Sequence, residues 1–193
     1  TFAGLLDVPN DIGETLSQSP VLALGIDFLS SDSNQHDIWK LEDKIIQGKM
    51  LENSYDILVS EKLSSRLKVY PGSDVTFIGS TMHGGFTMYN YIVKGVFDLN
   101  MGPIDKDMMI VDLEGARVAL DMNNSASEIL GYSKKLFFDD KETVMMRNKY
   151  NIIYSDTSDV YRPVMLALRD SNQMDSLIDF SNAIMGIILV VFL

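Results

Sequence analysis

His83-Gly84-Gly85 is the run in this chain whose residue types most resemble reaction machinery. In an esterase oxyanion loop, glycines free their backbone N–H groups to point at a developing negative charge. A nucleophile must accompany such a loop, and no G-x-S-x-G elbow occurs anywhere in the sequence. The flanking β-type patterns favour the other reading, a hairpin tip where glycine supplies positive φ. Neither His83 nor the only other histidine, His36, has a His or carboxylate partner at i+3 or i+4 on a convincing helix. Three protein ligands are the usual minimum for catalytic zinc, so no metal is assigned.

Asp32-Ser33-Asn34-Gln35-His36-Asp37 offers oxygen ligands but lacks the glycine and distal glutamate of a calcium loop, and it reads as a polar linker. Adjacent carboxylates such as Glu42-Asp43 and Asp139-Asp140 point in different directions on any regular element, so they define no acid/base pair. The sequence contains no P-loop and no cysteine, which removes an ATPase site, thiolate ligands and disulfides. No cofactor is expected, and catalysis is not assigned to this chain. Met82, Phe86 and Met88 surround the glycine tip. Apolar side chains at a loop end lack a packing reason, so Met82, His83, Gly84, Gly85, Phe86 and Met88 form a candidate partner contact.

A net charge of −11 with only 16 Lys plus Arg argues against nucleic acid, whose phosphates demand clustered cations. The 193-residue length suffices for a substantial core in one or two domains.

The elements that must position these residues follow from hydrophobic spacing. The run "VLALGIDFL" after Pro20 reads as a buried strand, and "DIWKLEDKIIQGKML" carries Ile38, Leu41, Ile45 and Ile46 at helical spacing with Gly48 as a stop. Ile57 to Val59 form a strand. Ser60 then caps a helix that buries Leu63 and Leu67. Pro71-Gly72 make a turn into a strand over Val75 to Ile78, and Tyr89 to Phe97 return as its hairpin partner. Met108 to Val111 give another strand, with a helix starting near Leu113. A further strand is expected over Glu128 to Tyr132. From Asp159, Val160, Val164 and Leu168 repeat every fourth residue with Pro163 in the first turn, which predicts a helix running toward the end of the chain.

The series "IIQGKML…YDILVSEKLSSRLKVYPGSDVTFIG…YNYIVKGVFD…DKDMMIVDLEGARVAL", preceded by "PVLALGIDF", resembles the periplasmic core domain of ABC-transporter permeases of the macrolide-exporter (MacB) and lipoprotein-release (LolC/LolE) type. The likeness covers about residues 20 to 132. Ser73 intervenes between the turn glycine and Asp74, and no tryptophan lies near Tyr161-Arg162; both depart from the family pattern.

The resemblance implies an α+β fold. A discontinuous porter-like α/β subdomain would span 1–49 and 113–182, a β-rich sabre-like subdomain 50–112, and the start of a transmembrane helix 183–193. It implies a non-enzymatic domain on the periplasmic or extracellular side of a bacterial inner membrane, coupling ATP hydrolysis elsewhere to export or release of lipoprotein, peptide or drug. Expected partners are an ABC ATPase, a second permease subunit in a homo- or heterodimer, and a periplasmic partner or lipoprotein cargo. Membrane anchoring would fall to Ile184, Ile187, Ile188, Leu189, Val190, Val191, Phe192 and Leu193, apolar residues whose run reaches about half of a ~30 Å hydrocarbon core. The rival readings are an esterase-like hydrolase using His83-Gly84-Gly85 and a membrane-anchored sensor or binding domain.

Overall fold

A computed structural model describes residues 1–10, 12–103, 105–132, 139–156, 158, 162–167 and 170. It separates into two compact units, Thr1–Leu130 and Gly131–Leu193.

The first unit is built around β1 (Phe2–Pro9), β2 (Thr15–Ile26), β3 (Ile45–Gly48), β4 (Asp56–Ser60), β5 (Asp74–Ser80), β6 (Phe86–Phe97) and β7 (Met108–Asp112). Four short helical segments join them: α1 (Gln35–Trp39), a 3₁₀ turn over Leu41–Lys44, α2 (Glu61–Leu67) and α3 (Leu113–Leu120). The strands run in the order β3-β6-β4-β7-β2-β1-β5, and β5 also pairs with β6. That last pairing closes β6, β4, β7, β2, β1 and β5 into a barrel, leaving β3 as an appended edge.

The pairing is two-fold symmetric. Opposite Leu58 lies Ile110, with Ile57↔Val111 and Val59↔Met109 on either side. On the other wall Leu6 lies opposite Phe77, flanked by Leu5↔Ile78 and Asp7↔Thr76. Each symmetry half holds a short buried strand that feeds a capped helix, β4–α2 or β7–α3. Beside each runs a long strand in parallel, β6 or β2, with its own hairpin partner, β5 or β1.

Local chemistry explains both helix starts. Ser60 accepts from the Leu63 N–H and Asp112 accepts from the Glu114 N–H, so the last residue of each strand becomes the N-cap of the next helix. Each helix ends on a residue in the left-handed region, Lys68 or Asp121.

Two cores lie on opposite faces of the β4/β7 wall. The barrel interior gathers Leu6, Val21, Ile57, Val59, Phe77, Tyr91, Met109 and Val111, with Leu63 and Leu67 from α2 and Ala116 and Ala119 from α3. The outer core packs Leu58, Phe97, Met108 and Ile110 under Phe28, Leu41 and Leu51. All five residues of β4 and all five of β7 are therefore buried, which is why "DILVS" and "MMIVD" read as continuous runs. In the interior, an added Cβ on Gly4 or Gly79 would lie 2.5 or 2.6 Å from the Phe77 ring. Those glycines make the room that lets Phe77 fill the barrel and meet Phe2 edge-on, 5.2 Å between centroids.

This architecture overturns the α+β expectation of a porter-like subdomain with an inserted sabre-like one. β1 and β2 come from the segment assigned to the first and β4 to β7 from the second, yet they close one barrel with only short helices. The helix expected over Ile38 to Ile46 is broken at Lys40, whose φ of 48° ends α1; Ile45 then pairs with Phe97 as the start of β3. Gly48 is the last residue of β3, in the left-handed region at φ +77° and placed where a Cβ would strike the Lys94 carbonyl, and not a helix stop. The strand expected over Glu128 to Tyr132 is irregular chain with Ile129 exposed.

In the second unit, α4 (Asp140–Ile153) is capped by Asp139, which accepts from the Glu142 N–H at 3.0 Å. The Asn151 amide pairs with the Met165 backbone in both directions, and Arg147 holds Asp170 at 2.6 Å, lowering the Asp170 carboxyl below its usual range. Residues 162–167 are not helical, against the helix predicted from Asp159. The expected membrane-helix start, 183–193, lies outside the described residues; among these no helix is long and apolar enough to cross a membrane.

Candidate functional site

The β5–β6 hairpin brings the six predicted contact residues into one exposed tip. Its turn is closed by Thr81, whose N–H donates to the Gly85 carbonyl at 2.7 Å and whose carbonyl accepts from the Gly84 N–H at 3.0 Å. The Thr81 hydroxyl oxygen accepts from the Gly85 N–H at 3.0 Å. Gly84 sits at φ +78°, the conformation that only glycine adopts freely.

The turn thus consumes the N–H groups of Gly84 and Gly85, the ones an oxyanion hole would have to leave open. Met82 donates its own N–H to the Leu120 carbonyl at 2.8 Å, which ties the tip to the end of α3. Thr87 repeats the tie through its hydroxyl to the Ala119 carbonyl at 2.9 Å. The base of the hairpin is anchored while Met82, Phe86 and Met88 project, all more than half exposed.

His36 is far from idle, a role that helical spacing could not reveal. Its Nδ1 lies 2.5 Å from Glu42 Oε1 and its Nε2 2.9 Å from the Phe28 carbonyl. Both ring nitrogens face acceptors, an arrangement that only the imidazolium satisfies in full. The Glu42 hydrogen bond accordingly raises the His36 pKa above its ordinary value against the opposing effect of partial burial.

Buried carboxylates serve the scaffold. Asp112 Oδ1 accepts from the N–H groups of Phe28 and Leu29, both at 3.0 Å, while its Oδ2 caps α3. Asp56 accepts from the N–H groups of Glu52 and Asn53, each at 2.9 Å. Asp105 pairs with Lys62 at 2.7 Å, and that contact lowers its carboxyl below the usual range.

Among the described residues no group of three or more histidines or carboxylates is placed to hold a metal. In the second unit, a hollow of about 280 Å³ is lined by Asn151, Tyr154, Ser155, Arg162, Pro163 and Val164. Among the described residues its lining includes no carboxylate or histidine. What the geometry provides is a closed barrel bearing a tethered hairpin whose apolar tip is exposed. No protein-family model matches the chain, and no curated protein sequence matches it.

Proposed function

We propose that this chain is a non-catalytic extracytoplasmic domain of an ABC-type permease, which contacts a partner or cargo through the β5–β6 hairpin while ATP is hydrolysed elsewhere. The observation that carries this reading is the placement of the resembling segments. "IIQGKML" supplies β3, "YDILVSEKLSSRL" supplies β4–α2, "SDVTFIG" and "YNYIVKGVFD" supply most of the β5–β6 pair, and "MMIVDLEGARVAL" supplies β7–α3. The motifs that order the resemblance are thus consecutive parts of one barrel framework. The reading rests on those motifs and not on a porter and sabre pair, which the barrel replaces.

This chain has no cysteine of its own, so a direct test is available once any cysteine elsewhere in the full-length protein is replaced. His83→Cys in the full-length protein of intact cells should react with a membrane-impermeant maleimide, and the protein should copurify with an ABC ATPase. Deleting Met82 to Gly85 should lower cargo release without lowering the amount of complex. A cysteine that reacts only after lysis, or a complex without ATPase, would sink the proposal.

A further inference from the structure

The barrel wall made by β2, β1, β5 and β6 is unlike the rest of the first unit. Leu6, Phe77 and Tyr91 face inward from it, so alternate residues face out. Cross-strand register sets Pro20 opposite Leu5, Leu5 opposite Ile78, and Ile78 opposite Met88. That row is apolar across four strands, and Leu5 is 37% and Met88 60% exposed. Toward the hairpin tip the next positions are Leu22 opposite Ala3 and Phe86 opposite Ser80, with Leu22 42% and Phe86 73% exposed. On the other side the row is bounded by the polar residues Gln18, Asp7, Thr76 and Asn90, again in cross-strand register.

Charge is distributed just as unevenly. No lysine or arginine occurs from Thr1 to Trp39 or from Val69 to Val93, the stretches that build this wall. The charged side chains of its described strands and turns are Asp7, which is buried, Glu14, Asp74 and, near the end of β6, Lys94, which pairs with Glu52; Asp121 follows the α3 end that holds Met82. Most cations of this unit sit elsewhere, at Lys40, Lys44 and Lys49 on the covering segment, at Lys62, Arg66 and Lys68 in and after α2, at Lys106 before β7 and at Arg117 in α3, where it pairs with Glu114. The apolar rows thus carry no positive charge of their own: Glu14, Asp74 and Asp121 lie exposed around them, and Lys94, where β6 pairs with β3 and β4, is neutralised by Glu52.

We infer that this wall is a docking surface for a polypeptide segment with an apolar stripe and lysine or arginine flanks. Apolar burial would supply the affinity, and the one-signed border would select cationic flanks and speed encounter. A second copy would bring its own −11 net charge against the first, and an anionic lipid surface would meet the same repulsion. The inference needs only the barrel, so it stands or falls separately from the permease reading.

Two synthetic peptides sharing one leucine-rich core, flanked by lysines in one and by glutamates in the other, test it by NMR titration of the full chain. The lysine peptide should shift amides of Leu5, Leu22, Ile78, Phe86 and Met88, and should bind at least about tenfold tighter than the glutamate peptide, a margin that shrinks with salt. Leu5→Glu or Met88→Glu should each cost about tenfold in affinity, whereas Ile46→Glu, on the exposed edge strand β3, should leave it unchanged. Shifts scattered over the surface, equal binding of both peptides, or equal loss in Ile46→Glu would overturn the assignment. So would concentration-dependent dimerisation abolished by Met88→Glu, because the occupant would then be a second copy.

Discussion

Two opposite walls of one barrel are made by the same backbone pairing and finished in contrary ways. The β4/β7 wall is sealed on both faces, by the barrel interior on one side and by the 28–51 segment on the other. The wall centred on β1 and β5 is sealed only from inside and leaves Leu5, Phe86 and Met88 outside. Because the strand pairing is two-fold symmetric, topology cannot be the cause. What differs is the covering segment, which has its own anchor in Asp112 and its own bridge in His36, and which lies over one wall alone. A fold with equivalent walls acquires a direction when one is insulated and the other left able to bind.

The largest expected effect follows from the sealed wall. Ile110→Ala should destabilise the protein by about 3 to 4 kcal/mol in urea unfolding, since Ile110 is fully buried in the outer core. Gly115→Ala should cost about 2 to 3 kcal/mol, because the new Cβ would lie 1.9 Å from the Ser54 carbonyl oxygen and backbone must move. Met88→Ala on the open wall should stay within about 0.5 kcal/mol of the parent. If Met88→Ala were as damaging as Ile110→Ala, the open wall would be a structural face and the contrast would collapse.

The same contrast decides how much the sequence discloses. β4, α2, β5, β6, β7 and α3 are legible because each announces itself locally: apolar runs, a Ser60 cap, a Pro71-Gly72 turn, alternation in Tyr89, Tyr91 and Val93. β1 is not legible, since "FAGLLDVP" mixes glycine, proline and aspartate. It is a strand because β2 and β5 flank it on either side. Covering residues 35–48 mislead for a related reason. Ile38, Leu41 and Ile45 recur at helical intervals, but they fall in three separate elements, the short helix α1, a 3₁₀ turn and an edge strand, where tertiary packing outweighs local period. Barrel closure itself is a statement about β5 meeting β1 on the edge away from its hairpin partner β6, a contact far apart in sequence that no local pattern encodes.

Of the site, the exposed tip was legible from apolar residues at a loop end, and the whole wall was not, because its rows form across strands. His36 was invisible as a bridging group for the same reason: its acceptors lie six and eight residues away along an irregular path.

A smaller effect separates the two symmetry-related caps. Asp112 and Ser60 hold equivalent places at the end of a buried strand, and both cap a helix. Only Asp112 also receives the covering segment, through Phe28 and Leu29. Ser60→Ala should therefore cost about 1 kcal/mol, the loss of one cap, and Asp112→Ala about 3 kcal/mol, the loss of a cap plus two charge-assisted bonds in a buried setting. Hydrogen exchange should quicken across residues 27–34 in Asp112→Ala alone. Equal costs and equal exchange would mean that the clamp adds nothing to the cap.

The smallest effect is a pH dependence confined to the insulated side. His36 faces Glu42 on one ring nitrogen and the Phe28 carbonyl on the other, and Asp37 adds a further negative charge. Hydrogen bonding to Glu42 is the main cause that raises His36 above its ordinary value, with partial burial working against it. Glu42 is lowered in turn; partial burial pushes its carboxyl up, and the His36 bond with its attendant charge outweighs that. A histidine raised on folding stabilises the fold fully below its unfolded pKa of about 6.5, and the contribution is lost as pH climbs through the higher folded value. Both side chains are nearly half exposed, so solvent screens the pair and the change is local. His36 should thus titrate above about 6.5 by NMR and return toward that value in Glu42→Gln. Amides from Phe28 to Lys44 should exchange faster above that titration than below it, while those of β1 and β5 show no such step. A His36 that titrates identically in Glu42→Gln, or a step shared by both walls, would show that the bridge does not fasten the cover.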